Sequence, residues 1–441
     1  MTPGDRIPLP PIHREALPNG LRVIVAERQG VPLAAVRLVL RGGASLDPRG
    51  RSGLAHLTAL TARRGTRRRT GAEIDLAVES LGADLGAGVD EDATYFGLSA
   101  PVEVLPRCLD ILADVAISPA FPPSEVQRLR RREIASLAHD LDEPGLVADR
   151  AMLHAAYGDH PYGHPPEGRA RELGAMHRAD VVALHRAAYR PPYALLVVVG
   201  KVEASEVLSL VRRRFGAWRG ADGEPAVPGP PEPPRTSVVV VDKPDVTQTQ
   251  VRIASAGFPR RSPDYFPGIV ASALLGGGFT SRLMEAIRVN RGLSYGVRSR
   301  FATSGAGGIF FVSTFTKVET TGEIVRVALD ETARFCDEGP SADEIERTRS
   351  FLCGLFPLSI ETHDQLAEKL ADLALYDLPD DEVSAFRERI RAVTPEAARD
   401  AGRRYFPLEE RVVVAVGPAK AIVPQLEPFG PVRVLSARKL A

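Results

Sequence analysis

GADGEPAVPGPPEPP, at residues 220–234, decides how the rest of the chain divides. It is rich in proline and has no apolar period, so it predicts an extended linker. Taken as residues 220–235, it separates an N-terminal domain, 1–219, from a C-terminal domain, 236–441, and halves so nearly equal suggest a duplication. Two matches support one. Glu125-Val-Gln-Arg-Leu-Arg130 follows Pro123-Ser124, and Glu344-Ile-Glu-Arg-Thr-Arg349 follows Pro340-Ser341. Both read as long helices starting after a proline and a serine cap. Tyr189 precedes a proline pair and the strand 195–200, while Tyr405 precedes Pro407 and the strand 411–417. Both matches recur at an offset of about 217 residues, and chance similarities would not share a period.

Within the first half, 21–27 and 33–41 alternate like two strands paired around a turn at Gly30. Residues 52–64, 72–81 and 102–117 carry helical periodicity, and 94–100 reads as a strand. Strand pairs mixed with helices, without strict alternation of the two, predict an α+β class. The expected architecture is two duplicated domains, each a mostly antiparallel sheet with helices packed on one face.

Composition narrows the function. The 441 residues hold 56 Lys+Arg against 56 Asp+Glu, a net charge of zero. A chain that binds nucleic acid or coats an anionic membrane usually carries a basic excess, so neither partner is expected. The clustered Arg63, Arg64, Arg67, Arg68 and Arg69 read as a solvated surface. No apolar run reaches the roughly 20 residues of a membrane helix, and the start shows no apolar signal segment. Cys108, Cys336 and Cys353 lack the spacing of a zinc knuckle or redox pair and are expected as buried thiols, which fits a cytoplasmic location.

Gly53-Leu-Ala-His56-Leu-Thr-Ala-Leu60-Thr-Ala-Arg-Arg-Gly65-Thr66 resembles the metal-motif segment of the pitrilysin/insulinase family of zinc metallopeptidases, the inverzincins. Glu73-Ile74 with Leu81-Gly82-Ala83, and His160-Pro-Tyr-Gly163 with Gly168, follow in the family's order. So does Leu275-Gly-Gly-Gly278-Phe-Thr-Ser281-Arg282-Leu283, with Arg288 and Gly292-Leu-Ser-Tyr295. The family's duplicated α+β domains of about 220 residues agree with the repeat found above.

An active member carries H-x-x-E-H on a helix. Two His at i and i+4 reach one Zn²⁺, the Glu between them takes a proton from the metal-bound water, and a later Glu completes the site. Here the first slot is His56, the base slot is Ala59 and the second His slot is Leu60. Counting roughly 76 residues on from the second slot puts the third ligand at Ser136, with Glu133 one helical turn away. Neither a methyl group nor an isobutyl group can ligate zinc or accept a proton. No metal and no cofactor is therefore expected on this chain, and no catalytic residue in the motif. His160 and His164, near His154, stand in a proline-broken loop; His139, His177 and His185 read as single surface or core residues. The run Gly276-Gly277-Gly278 lacks the ending of a phosphate loop and reads as a tight helix entry.

The second half keeps what the first has lost. In the family, an Arg and a Tyr seven residues apart contact the substrate backbone opposite the zinc. Arg288 and Tyr295 match that spacing, with Arg291 as a rival for the Arg role. The resemblance thus implies a non-catalytic, substrate-binding subunit of a heterodimeric zinc metallopeptidase, comparable to one half of the mitochondrial processing peptidase. It would be inactive alone. Its partner would be a homologous subunit carrying H-x-x-E-H and the zinc, and its substrates would be peptides. The alternative is a proteolytically inactive scaffold or assembly protein resembling the core proteins of respiratory complex III.

Overall fold

The computed structural model describes residues 6–220 and 228–437, so part of the expected linker lies outside the described residues; 228–235 form no helix or strand. The chain divides into two compact units, each built on one six-stranded sheet. The first unit holds β1 (Ile12–Ala16), β2 (Arg22–Glu27), β3 (Leu33–Arg41), β4 (Asp84–Val89), β5 (Ala93–Pro101) and β6 (Ala194–Gly200). The second holds β7 (Ser237–Asp242), β8 (Gln248–Ala256), β9 (Val297–Thr303), β10 (Gly308–Lys317), β11 (Val412–Gly417) and β12 (Val432–Ser436).

The duplication is written in the strand orders. The first sheet runs β1-β2-β6-β3-β5-β4 and the second β12-β7-β11-β8-β10-β9. Five strands correspond in order and direction: β2 and β7 each run parallel to the next strand, and the following three pairings are antiparallel. Only the edges differ, since β1 is antiparallel to β2 whereas β12 is parallel to β7. Both sheets are thus mostly antiparallel and the class is α+β.

The hairpin expected around Gly30 does not form. β6 lies between β2 and β3, and β11 between β7 and β8. The reason is in the inserted strands. Every residue of Ala194–Gly200 and of Val412–Gly417 is buried, with no polar alternation, so each needs a neighbour on both edges and cover on both faces.

That second cover comes from elsewhere in the chain. In the second unit, Val238, Val240, Val251, Ile253, Val413 and Ala415 face helices of the same half, including Tyr265–Gly276, Thr321–Glu338 and Pro395–Tyr405. Their alternates Val239, Val241, Ala254, Val412, Val414 and Val416 pack on Val147, Ala151 and Met152 of Pro144–Tyr157, a helix of the first half. The first unit mirrors this. Ile24, Ala35, Val39, Leu195 and Val197 pack on Leu366, Ala367 and Leu370 of His363–Leu375, a helix of the second half. Residues 136–164 therefore belong with the second unit and 355–385 with the first. Each half's own helices do take one face; the exchanged segments fill the other. Ion pairs fix them there. Arg37 reaches Asp364 at 2.8 Å, Arg41 reaches Asp377 at 2.7 Å, and Arg252 of the second sheet reaches Asp149 at 2.6 Å.

The helix expected over 52–64 spans Leu54–Ala62, and that over 72–81 spans Gly71–Glu79 with a full Thr70/Glu73 capping box. Ser341 caps its helix as expected, through Glu344 N at 3.2 Å. Ser124 does not act as a cap: its helix already begins at Pro123. All three cysteines are buried and free. No described helix is long and apolar enough to cross a membrane.

Candidate functional site

In the first unit, the motif helix Leu54–Ala62 is held at its N-terminus by two carboxylates. Asp47 accepts from Gly53 N at 2.6 Å and Ala55 N at 2.7 Å, and Glu172 accepts from Ser52 N at 2.7 Å. Such groups satisfy the unpaired amides of a helix start. Burial pushes the Asp47 carboxyl up to about 7 despite those amide bonds. Gly53 is left-handed at φ 92°, and a Cβ there would stand 2.5 Å from the Glu167 carbonyl oxygen, beside Gly168. The two glycines let two backbones touch, which accounts for both in the sequence pattern.

His56 projects from this helix, and its Nε2 lies 3.3 Å from Oε2 of Glu133 on the helix Pro123–Asp140. The Glu133 Oε1 accepts from Nε and Nη2 of Arg132 at 2.9 and 2.8 Å. The His56 hydrogen bond, helped by Arg132, holds the Glu133 carboxyl below the usual carboxylate range. Ser136, where counting placed the third ligand, is exposed; Glu133 is the residue the fold sets beside His56. Ala59 is fully buried among Ala44, Ala55 and Val89, and Leu60 is half-buried. A zinc ion of the family type needs three protein ligands. Two are present, and no group of three ligating side chains stands together among the described residues, so the residues at hand do not fit the metal.

In the second unit, Arg288 sits on the π-helical turn Met284–Val289 and Tyr295 on the loop before β9. The Arg288 guanidinium lies over the Tyr295 ring, 4.5 Å from its centroid, and 5.4 Å from that of Phe279. Both rings are bare: Tyr295 is 75% exposed and Phe279 76%. The loop that presents Tyr295 is fixed on either side. Thr316 Oγ1 donates to the Leu293 carbonyl at 2.7 Å, and Thr314 Oγ1 to the Gly296 carbonyl at 2.9 Å. Both threonines are buried on β10. Arg291, the rival in the motif, donates to the Ala286 carbonyl at 2.9 Å and so ends its own helix. The arrangement offers a guanidinium fork and a phenol donor to a peptide backbone.

The neighbouring signature residues serve the fold. Gly276 has no room for a side chain, since a Cβ would lie 2.7 Å from Ser299 N. Arg282 donates to both Glu344 oxygens, at 2.7 and 3.0 Å, and with the Ser341 amide this pulls the Glu344 carboxyl down to about 2. His160 bonds the Tyr162 amide and the Gly229 carbonyl, which makes it structural. Phe279 escaped the sequence reading; its signal was a large apolar residue directly after three glycines, where burial is hard to arrange.

Two family models match successive stretches of the chain. The family model described as "Insulinase (Peptidase family M16)" matches residues 22–168, and "Peptidase M16 inactive domain" matches 175–352. An uncharacterised zinc protease of Streptomyces coelicolor is 24% identical over 93% of this chain and 90% of its own length. The mitochondrial-processing peptidase subunit beta of Bos taurus is 26% identical over 94% and 86%. A solved structure of a peptidase M16 inactive domain from Pseudomonas fluorescens superposes with a TM-score of 0.86, at 26% identity over 92% of this chain and 98% of that one. A protease of Helicobacter pylori shares the fold, with a TM-score of 0.85 at 19% identity. This chain belongs to the pitrilysin/insulinase peptidase family.

Proposed function

We propose that the chain is the non-catalytic, substrate-binding subunit of a heterodimeric zinc metallopeptidase, located in the cytoplasm. The observation that carries this reading is the Arg288–Tyr295 contact: a guanidinium over a bare phenol ring, presented by a loop bonded to β10, in a chain whose motif helix carries alanine and leucine after His56. Two bare rings, Tyr295 and Phe279, flank one guanidinium, and a contiguous exposed apolar patch with a polar rim is what marks a binding surface. A peptide held as an added strand, with its carbonyl near Arg288 and Tyr295, satisfies both donors. The partner subunit carries H-x-x-E-H and the zinc. There the zinc would supply the activated water, the Tyr295 phenol would donate a hydrogen bond to the carbonyl oxygen of the scissile peptide, and Arg288 would orient the chain being cut. The relatives named above, one of them a peptidase subunit, support the pairing.

The test is to purify this chain alone and together with a family member that retains the full motif. Alone it should cleave no peptide; the pair should cleave. Arg288→Ala or Tyr295→Phe should lower the pair's turnover by ~10²-fold, the scale of losing one oxyanion donor. Cleavage by the lone chain, or a pair indifferent to both substitutions, would refute the assignment.

A further inference from the structure

We infer that the first unit carries a second binding site, unrelated to peptide cleavage, for a small amphiphilic anion: an apolar body with a carboxylate or phosphate head. The site is a cavity of about 660 Å³ between the loop after the helix Leu105–Ile117 and the helix Arg178–Ala188. That volume is within the range of small-ligand pockets.

Its charge is one-sided. Arg67, Arg178, Arg186 and Arg219 line it, and no carboxylate is among its described lining residues. Arg178 donates to the carbonyls of Phe121 and Ala120, at 2.7 and 3.1 Å; Arg219 donates to those of Gly216 and Trp218, at 2.8 and 3.0 Å. Carbonyls fix those guanidinia but do not neutralise them. Arg67 and Arg186 are exposed, and neither side chain has a hydrogen-bond or ion-pair partner among the described residues. Four guanidinia around one cavity, with no carboxylate among its described lining residues, make a positive local field in a chain of zero net charge.

The wall behind them is aromatic. His185 and Tyr189 pack with ring centroids 4.3 Å apart and planes tilted by 39°, and Trp218 is buried beside the same cavity. The His185 Nε2 bonds the Ala116 carbonyl at 2.9 Å, so that nitrogen bears the proton. Burial pushes the imidazole down to about 4, so it is neutral near pH 7 and serves as an apolar wall. The hydroxyl of Tyr189 is buried with no hydrogen-bond partner among the described residues. Its counterpart in the duplication shows what is missing: the Tyr405 hydroxyl donates to Asp264 at 2.7 Å. A buried phenol without an acceptor, a cationic rim and an aromatic wall are complementary to an acid with an apolar tail.

Trp218 is the chain's only tryptophan, so its emission reports on this cavity. The full chain is titrated with octanoate, octyl phosphate and octanol, with calorimetry in parallel. Saturable binding of octanoate or octyl phosphate, at least tenfold tighter than octanol, is expected, and the tighter of the two identifies the head group. The double variant Arg67→Gln, Arg186→Gln replaces exposed side chains and should keep its circular dichroism while losing at least tenfold in affinity. Tyr189→Phe should also bind more weakly. No saturable binding of either anion, octanol binding as tightly, or a folded double variant with unchanged affinity overturns the proposal.

Discussion

Leu370→Ala should destabilise the unit that its position in the sequence does not suggest. Leu370 lies in the second half of the chain, yet it is 1% exposed and packs with Ile24, Val39, Leu195 and Val197 of the first sheet. Truncating a buried leucine loses its transfer free energy and leaves a cavity, a cost of about 2–5 kcal/mol. With a urea slope of about 2–3 kcal/mol per molar for a unit of this size, the midpoint should fall by ~1–2 M. Trp218 belongs to the first unit and is the chain's only tryptophan, so its emission follows that unit alone. Met152→Ala is the matched control. Met152 lies in the first half but is buried against Val239, Val414 and Val416 of the second sheet. It should lower the far-ultraviolet circular dichroism transition of the second unit by a similar amount and move the Trp218 transition less than Leu370→Ala does. If Met152→Ala shifts Trp218 emission more than Leu370→Ala, the exchange of segments is wrong.

Three other perturbations follow from particular contacts. Gly276→Ala forces a methyl to within 2.7 Å of the Ser299 amide and should cost about 1–3 kcal/mol, read as a lowered melting temperature. Asp47 has a folded pKa of about 7 against 3.8 for the free group, so the folded state holds a proton that the unfolded state releases between those values. Stability from this group therefore rises as pH falls from 7 towards 4, with a slope of at most ~1.4 kcal/mol per pH unit; Asp47→Asn should flatten that slope in urea titrations at several pH values. Phe279→Ala removes one of the two rings around Arg288. If the proposed role holds, it should raise the pair's KM about two- to fivefold, the worth of an exposed cation–π contact, and leave kcat nearly unchanged.

The sequence carried the duplication well, because its two matches rest on local features: a proline-started helix and a tyrosine ahead of a fully apolar strand. That Arg288 and Tyr295 come together was legible for the same reason, since one short helix end separates them. What it hid is non-local. Periodicity says that Ile24 and Val197 point to an apolar surface, but not that Leu366 and Leu370, more than a hundred residues on, supply it. One signal was available. Ala194–Gly200 and Val412–Gly417 have no polar alternation at all, and a strand apolar on both faces needs helices on both. β4 also escaped because its Gly86 and Gly88 dilute the strand pattern, although both pair in register with β5.

The first unit's metal motif is not equally degraded at each slot, and the difference can be tested by rebuilding it. The scaffold persists: Asp47 and Glu172 hold the start of the motif helix, Gly53 and Gly168 permit its close approach, and His56 and Glu133 stand 3.3 Å apart. Asp47, Glu172 and the two glycines hold the motif helix whether or not a metal binds beside it. Leu60 is half-buried and one turn from His56 on the same helix, so a histidine there is expected to join His56 and Glu133 as a third ligand. Ala59 differs. It is 0% exposed and packed against Ala44, Ala55 and Val89, so a glutamate would put a carboxylate into an apolar cluster with no space for it. Leu60→His alone should therefore bind close to one zinc per chain, measured by elemental analysis after dialysis, and still cleave no peptide because no base is present. Adding Ala59→Glu should cost about 1–3 kcal/mol from overpacking alone, seen as a lower melting temperature. A folded Leu60→His variant that takes up no zinc would show that Glu133 does not occupy the third ligand position.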